Sequence, residues 1–233
     1  PAMMKFASFM AQQNQSFKDG VNGYFASALD ELFMYKDIVD HPQGEPLTGT
    51  YWFKDTQICV ARDTEGKSDG FFFAAKGGNN QESHNHNDVG SCILYYNALP
   101  VLIDAGVGTY TRQTFGPERY TIWTMQSDYH NLPLINGTPQ KNGRELAAHN
   151  QQYKATAKTV SYQVDIARAY PQEANVKSWI RNYTLYRKKD FTITDKWKLS
   201  ACNEPSVLNL MTCCEVEIDR NKNIILTGEA GRF

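Results

Sequence analysis

Several absences narrow this sequence before any motif is read. No apolar run approaches the ~18 residues of a helical membrane span, so no spanning helix is expected. Charge of one sign is missing too. The 24 Lys and Arg face 25 Asp and Glu, a net −1, which gives no bulk attraction to nucleic acid or to an anionic membrane. A polyanionic ligand would have to be met by a local basic patch. Cysteine is scarce: Cys59, Cys92, Cys202, Cys213 and Cys214 make an odd count with no CxxC spacing. That pattern argues against a disulfide framework and a cysteine-based zinc site. Cys59 and Cys92 stand in apolar, strand-like runs and are expected as buried free thiols. Signal peptide, internal repeat and low-complexity tract are all missing. The chain opens Pro1-Ala2-Met3-Met4 and closes Gly231-Arg232-Phe233, ends that read as cuts through a longer protein.

Apolar residues make up 41% of the 233, enough for a substantial core. Residues 1–45 read as helical, with Ala26, Leu29, Leu32 and Phe33 at near-helical spacing and Gly20 and Gly23 splitting the segment. Two such fragments cannot bury their apolar faces alone, so the tail of a larger helical domain is expected. Pro42, Gly44, Pro46 and Gly49 mark a linker-like stretch. Over residues 46–233 short strand-like runs follow: 50–53, 58–62, 71–75, 93–96, 101–103, 153–160, 161–169, 179–186, 191–199, 207–211 and 224–226. Asn97-Ala98, Asn136-Gly137 and Arg187 to Asp190 read as hairpin turns. So many strands without intervening helices predict a mainly β fold, a large antiparallel β-sandwich.

The chemistry-bearing window runs from Lys76 to Gly137 and holds His84, His86 and His130, three of the five histidines. In an extended segment His84, His86 and Asp88 share one face, and imidazoles and carboxylates converging on a point are what a metal ion needs. Asp104 ends the apolar run Val101 to Ile103, where a carboxylate needs a partner. His130 completes the candidate set. The stretch is also polar and Asn-rich, so surface-loop histidines fit it as well, and spacing alone leaves both readings open. Asp88 suits either a fourth ligand or the cap of the turn before Gly90. Between Asp104 and His130 a long polar and aromatic stretch carries Tyr110, Arg112, Arg119 and Tyr120. The arginines suit sulfate or carboxylate and the tyrosines sugar rings; surface arginines and packing tyrosines fit equally. Asn131 suits a ligand-orienting or substrate-binding role, or a turn. Tryptophans lying in strands are expected in the core.

Ser83-His84-Asn85-His86-Asn87-Asp88-Val89-Gly90-Ser91, then Pro100-Val101-Leu102-Ile103-Asp104-Ala105-Gly106, then His130-Asn131 and Ile135-Asn136-Gly137 resemble the C-terminal region of the heparinase II/III-like polysaccharide lyases. The resemblance is strong over residues 50–140 and looser elsewhere. It implies the end of an α/α toroid followed by most of a sandwich of stacked antiparallel sheets. It also implies a divalent metal, zinc, held by His86, Asp104 and His130, with His84 lining the catalytic cleft. The implied reaction is β-elimination at a uronate: a base takes the C5 proton, an acid protonates the leaving 4-oxygen, and the uronate carboxylate is neutralised. In the family much of that machinery lies in the toroid, so this chain is expected to lack a complete active site. An acidic polysaccharide of the heparin or heparan sulfate kind and the upstream toroid of the same protein are the implied partners. A periplasmic or secreted location is implied as well.

Two other classes stay in view. A noncatalytic sugar-binding sandwich would share the fold. A cupin-like metalloprotein would explain Gly78 ahead of His84-Asn85-His86, but the glutamate expected shortly after the histidine pair is missing.

Overall fold

The computed structural model describes residues 47–233 and, before them, Phe33, Met34, Lys36, Asp37 and Asp40, which are helical. The predicted toroid remnant over 1–45 otherwise lies outside the described residues. The chain forms two units, one of Pro1–Gly49 with Glu65–Lys67 and one of Thr50–Thr64 with Ser68–Phe233. In the first, the Gly66 amide donates to the Leu47 carbonyl at 2.7 Å. The second unit carries all that follows. Among the described residues no helix is long and apolar enough to cross a membrane.

The sandwich is built from two principal antiparallel sheets. The first joins β1 (Thr50–Phe53), β2 (Ile58–Arg62), β3 (Phe71–Lys76), β5 (Cys92–Tyr96) and β6 (Leu99–Leu102) in the order β1-β2-β3-β5-β6. The second joins β9 (His149–Ala155), β10 (Thr159–Asp165), β11 (Val176–Tyr186) and β12 (Asp190–Leu199) in the order β12-β11-β10-β9. Three small sheets complete the unit. The two-residue β4 (Asn79–Asn80) pairs with β8 (Gly143–Ala147), and β7 (Pro133–Leu134) with β13 (Val207–Leu208). The chain closes on β14 (Glu215–Ile218), β15 (Ile224–Gly228) and β16 (Gly231–Arg232).

Alternation decides which face each strand buries. On β10 every second residue, Val160, Tyr162 and Val164, is fully buried; on β3 Phe73 and Ala75 are. The facing side chains meet between the principal sheets. The Phe73 ring lies 4.9 Å from Phe191 and stacks on Tyr183 at 6.5 Å, and Trp52 lies 5.0 Å from Tyr162. Burying a ring of this size stabilises the fold by about 1.5–3 kcal/mol. Arg181 stands on the same inward face of β11 as Trp179, Tyr183 and Leu185 and pairs with Asp195 on β12, so this apolar layer contains an ion pair.

The turns explain which strand boundaries the sequence revealed. Asn97 and Ala98 have φ of +51° and +64°, and Asn136 and Gly137 of +50° and +69°. Both are two-residue hairpin turns with two left-handed residues; Asn136-Gly137 is the sequence such a turn prefers, whereas Ala98 takes that conformation against its preference. The predicted continuous strand 153–160 is instead broken, because the chain reverses at residues 156–158 between β9 and β10. No glycine, proline or asparagine marks that turn. The Thr156 hydroxyl makes it, accepting hydrogen bonds from the amides of Lys158 and Thr159 at 3.3 and 3.0 Å. Strands β8 and β14 were not legible either; their exposed residues show no clear alternation.

Candidate metal centre

The histidine loop begins where β4 ends. Residues 81–90 are turns and bends rather than strand, so the shared face expected for His84, His86 and Asp88 does not form. His84 takes the left-handed region at φ +56°, one that histidine visits more readily than most residues. Its exposed ring meets Phe115 edge-on at 6.4 Å. His86 turns the other way and is half-buried, its ring centroid 5.4 Å from that of His130. Two imidazoles that diverge in this way do not converge on one ion, as a cupin-like histidine pair would. Asp88 is neither ligand nor cap: its carboxylate accepts from the Lys76 ammonium at 2.8 Å.

Lys76 also reaches Glu82 at 3.3 Å, so one cation joins both ends of the loop that carries the two histidines. Gln140 ties the same loop to the body. Its side-chain oxygen accepts from Asn80 and from the Val89 amide, and its nitrogen donates to the Val89 carbonyl at 2.8 Å. The Asn87 amide donates to the Met125 carbonyl at 3.0 Å.

Asp104 follows β6, and His130 follows a 3₁₀ turn at Ser127–Tyr129. Nδ1 of His130 lies 3.0 Å from Oδ2 of Asp104. The approach is close but poorly directed for a hydrogen bond, and Nε2 of the fully buried His130 has no hydrogen-bond partner. A buried polar atom left unpaired costs about 1–3 kcal/mol, so this ring would gain by giving its lone pair to an ion. The donor atoms of His86, Asp104 and His130 all lie within 4.8 Å of one another. Two imidazoles and a carboxylate are a donor set that zinc takes, and the residues present fit such an ion.

The charge states suit it as well. Burial pushes the His86 pKa below its ordinary value, against the opposing pull of Asp88 and Asp104, which favours the neutral imidazole that binds metal. Burial works to raise the Asp104 carboxyl, but the His130 ring, the Gly106 amide and His86 together hold it low. The Asp104 side chain is 37% exposed, more open than its place at the end of an apolar run suggested.

The other candidate residues divide. Arg119 donates through Nε to the Asn85 carbonyl at 2.8 Å and through one terminal nitrogen to the Thr114 carbonyl at 2.7 Å; its other terminal nitrogen is buried without a partner. The Tyr120 hydroxyl accepts from the Asn85 side chain at 3.2 Å. Both residues, expected on substrate, therefore grip the backbone and side chain between the two histidines. Arg112 is exposed. Tyr110 stacks on Phe115 at 5.5 Å and 13°, and with His84 these rings form an exposed aromatic cluster.

Asn131 corrects the expectation of a substrate contact. It is buried, its nitrogen donates to the Cys92 and Ile103 carbonyls at 2.7 and 3.0 Å, and its oxygen accepts from the Met211 amide at 2.7 Å. It thereby fixes His130 beside the strand end that carries Asp104. Trp197, expected in the core, stacks on Trp179 from outside and is 57% exposed. Sequence reasoning missed Lys76, Gln140 and Arg181. Only Arg181 left a signal, standing between Trp179 and Tyr183 at the inward positions of an alternating strand.

Residues 49–231 match the family described as Heparinase II/III-like, C-terminal. No curated protein matches the chain significantly. Solved structures match its fold. A heparinase III gene product with methylated lysines aligns at TM-score 0.67 and 18% identity, over 87% of this chain and 31% of its own. A mutant of heparan sulfate lyase HepC from Pedobacter heparinus aligns at 0.64 and 15%, over 98% and 33%. A heparinase III aligns at 0.60 and 21%, over 81% and 29%. The chain thus spans about a third of each of these proteins, and at these identities the likeness is one of fold.

Proposed function

The chain belongs to the heparinase II/III-like family through its C-terminal domain, and from that premise we propose that it works in a polysaccharide lyase that cleaves uronate-containing glycans by β-elimination. The observation that carries the reading is the divergence of two histidines on one braced loop. His86 turns in toward Asp104 and His130, while His84 is exposed among Tyr110 and Phe115.

His84 is the residue of this chain proposed to move a proton at the sugar. An exposed imidazole is a side chain suited to passing a proton to and from a bound sugar, and β-elimination needs one taken from C5 and one delivered to the leaving 4-oxygen. Tyr110 offers a ring face for a sugar, and Arg112 a guanidinium for sulfate or carboxylate. Arg119 and Tyr120 act indirectly, by holding Asn85 and with it the direction of both histidines. A zinc ion held by His86, Asp104 and His130 would supply a fixed positive charge that locks the three loops together. The substrate class proposed is an acidic glycan of the heparan sulfate kind. The remaining catalytic groups belong to an α/α toroid of the same protein, working in the periplasm or outside the cell.

The exposed Tyr110–Phe115 pair also favours a second reading, a sandwich that binds glycan without cleaving it. One experiment separates the two: formation of unsaturated uronate, followed by ultraviolet absorbance, in the full-length protein and in its His84→Ala variant. The lyase reading expects activity that falls by about 10²–10⁴ in the variant, the usual contribution of a positioned acid or base. Equal activity in both removes His84 from the chemistry. Glycan binding without any product supports the second reading.

A further inference from the structure

Strand β11 turns Trp179, Arg181, Tyr183 and Leu185 into the sandwich, and Arg181 is the residue there that an apolar layer does not explain. It is fully buried. Nε and one terminal nitrogen meet the two oxygens of Asp195 at 2.8 Å each, and Asp195 also accepts from the Trp179 indole at 2.9 Å. The pairing leaves one terminal nitrogen, and it points away from Asp195. That nitrogen donates to the Asn131 carbonyl at 2.6 Å and to the Gly90 carbonyl at 3.3 Å. The Tyr183 hydroxyl donates to the same Gly90 carbonyl.

Those two carbonyls come from different loops. Asn131 directly follows His130, and Gly90 closes the loop that carries His86. Gly90 has little freedom of its own: it sits at φ +84°, and a Cβ there would lie 2.6 Å from the Ile166 side chain. A buried ion pair adds little stability over apolar residues of the same volume. What a guanidinium supplies is a rigid fan of five donors, and here the fan spans a partner carboxylate and both ligand-bearing loops.

We propose that Arg181 is a positioning residue for the metal centre, one buried guanidinium that sets His130 and His86 in register through the carbonyls of Asn131 and Gly90. The proposal rests on the metal reading given above. Its consequence is an effect on metal affinity beyond any effect on folding, because the ligands stay in place while the angle between their loops relaxes.

The test is the zinc affinity of the 233-residue chain, by competition with a chromophoric chelator, for the native sequence, Arg181→Lys, Tyr183→Phe and Leu185→Ala. Arg181→Lys keeps a charge for Asp195 but loses the fan. It should bind zinc about 10–100-fold more weakly, the usual cost of disturbing groups behind the ligands, while its circular dichroism stays native. Tyr183→Phe should weaken binding in the same direction by less. Leu185→Ala, on the same face but bonded to neither loop, should lose thermal stability and keep native affinity. Native affinity in Arg181→Lys overturns the proposal, as does an equal loss in Leu185→Ala. If Arg181→Lys does not fold, Tyr183→Phe decides: native affinity there overturns the proposal, and a weaker one supports it. A native chain that takes up no zinc removes the metal reading and the proposal together. That result differs plainly from native binding with unchanged variants, which removes the proposal alone.

Discussion

His84 takes the left-handed backbone region within a loop of turns and bends, and its ring meets Phe115 while that of His86 meets His130. Side chains two apart, expected on one face, end on opposite sides of the loop. The metal-ligand expectation therefore rests on His86, Asp104 and His130, whose donor atoms gather from three separate parts of the chain. Elemental analysis of the purified chain should find about one zinc, and a variant combining His86→Ala with Asp104→Ala should carry none, since a single remaining imidazole does not hold the ion. A folded native chain without metal would sink the ligand assignment. At this scale the sequence showed which residue types were available. It did not show that Asn131 would be consumed by three backbone groups, because those groups come from Cys92, Ile103 and Met211, distant in the chain.

Individual strands carry their own predictions. Cys59 on β2 and Cys92 on β5 lie on either side of Ala75, in register across β3. Burial pushes both thiols up to about 12, so neither forms appreciable thiolate at mild pH. Alkylation of the native chain at slightly alkaline pH should spare Cys59 and Cys92 and label the exposed Cys202 and Cys213; all five should label after denaturation. Mass mapping of the labelled peptides checks this, and labelling of Cys59 in the native state would contradict the buried sandwich.

His149 on β9 behaves differently. Its Nε2 is buried without a partner, and burial, aided by the charge of Arg168, lowers its pKa below 6.5. The unfolded chain then takes up a proton that the folded chain refuses. Its contribution is present above the unfolded value and is lost as pH falls through the folded one. In metal-free protein, His149→Gln should therefore flatten the loss of stability below pH 6.5 in denaturant titrations. An unchanged slope would show that the ring takes its proton freely in the folded state.

For the molecule as a whole, a metal held by His86, Asp104 and His130 would link separate segments: the 81–90 loop, the end of β6 and the chain before β7. An ion that binds only the folded chain stabilises it by mass action. With free zinc at a hundred times its dissociation constant the gain is about 2.7 kcal/mol. Melting curves should rise with added zinc and fall with chelator, and His130→Ala should abolish the difference. A melting temperature indifferent to zinc in the native chain would show that the ion is not bound in the folded state.

Local patterns settled much of this protein in advance. Alternating apolar runs require faces to bury, so the sequence determined a sandwich of antiparallel strands. Asn136-Gly137 determined one tight turn through the left-handed backbone that both residues tolerate, and Asn97 marked another. The blocks around His84, Asp104 and His130 pointed to the family. The tertiary structure alone decided the direction of each imidazole, the conversion of Arg119, Tyr120 and Asn131 from expected ligand contacts into braces, and the role of Arg181. The physical reason is the range of the interactions. Turn chemistry and strand alternation act between neighbours in sequence. Arg181, by contrast, reaches carbonyls 50 and 91 residues away, and such partners exist only once the two sheets have closed around them.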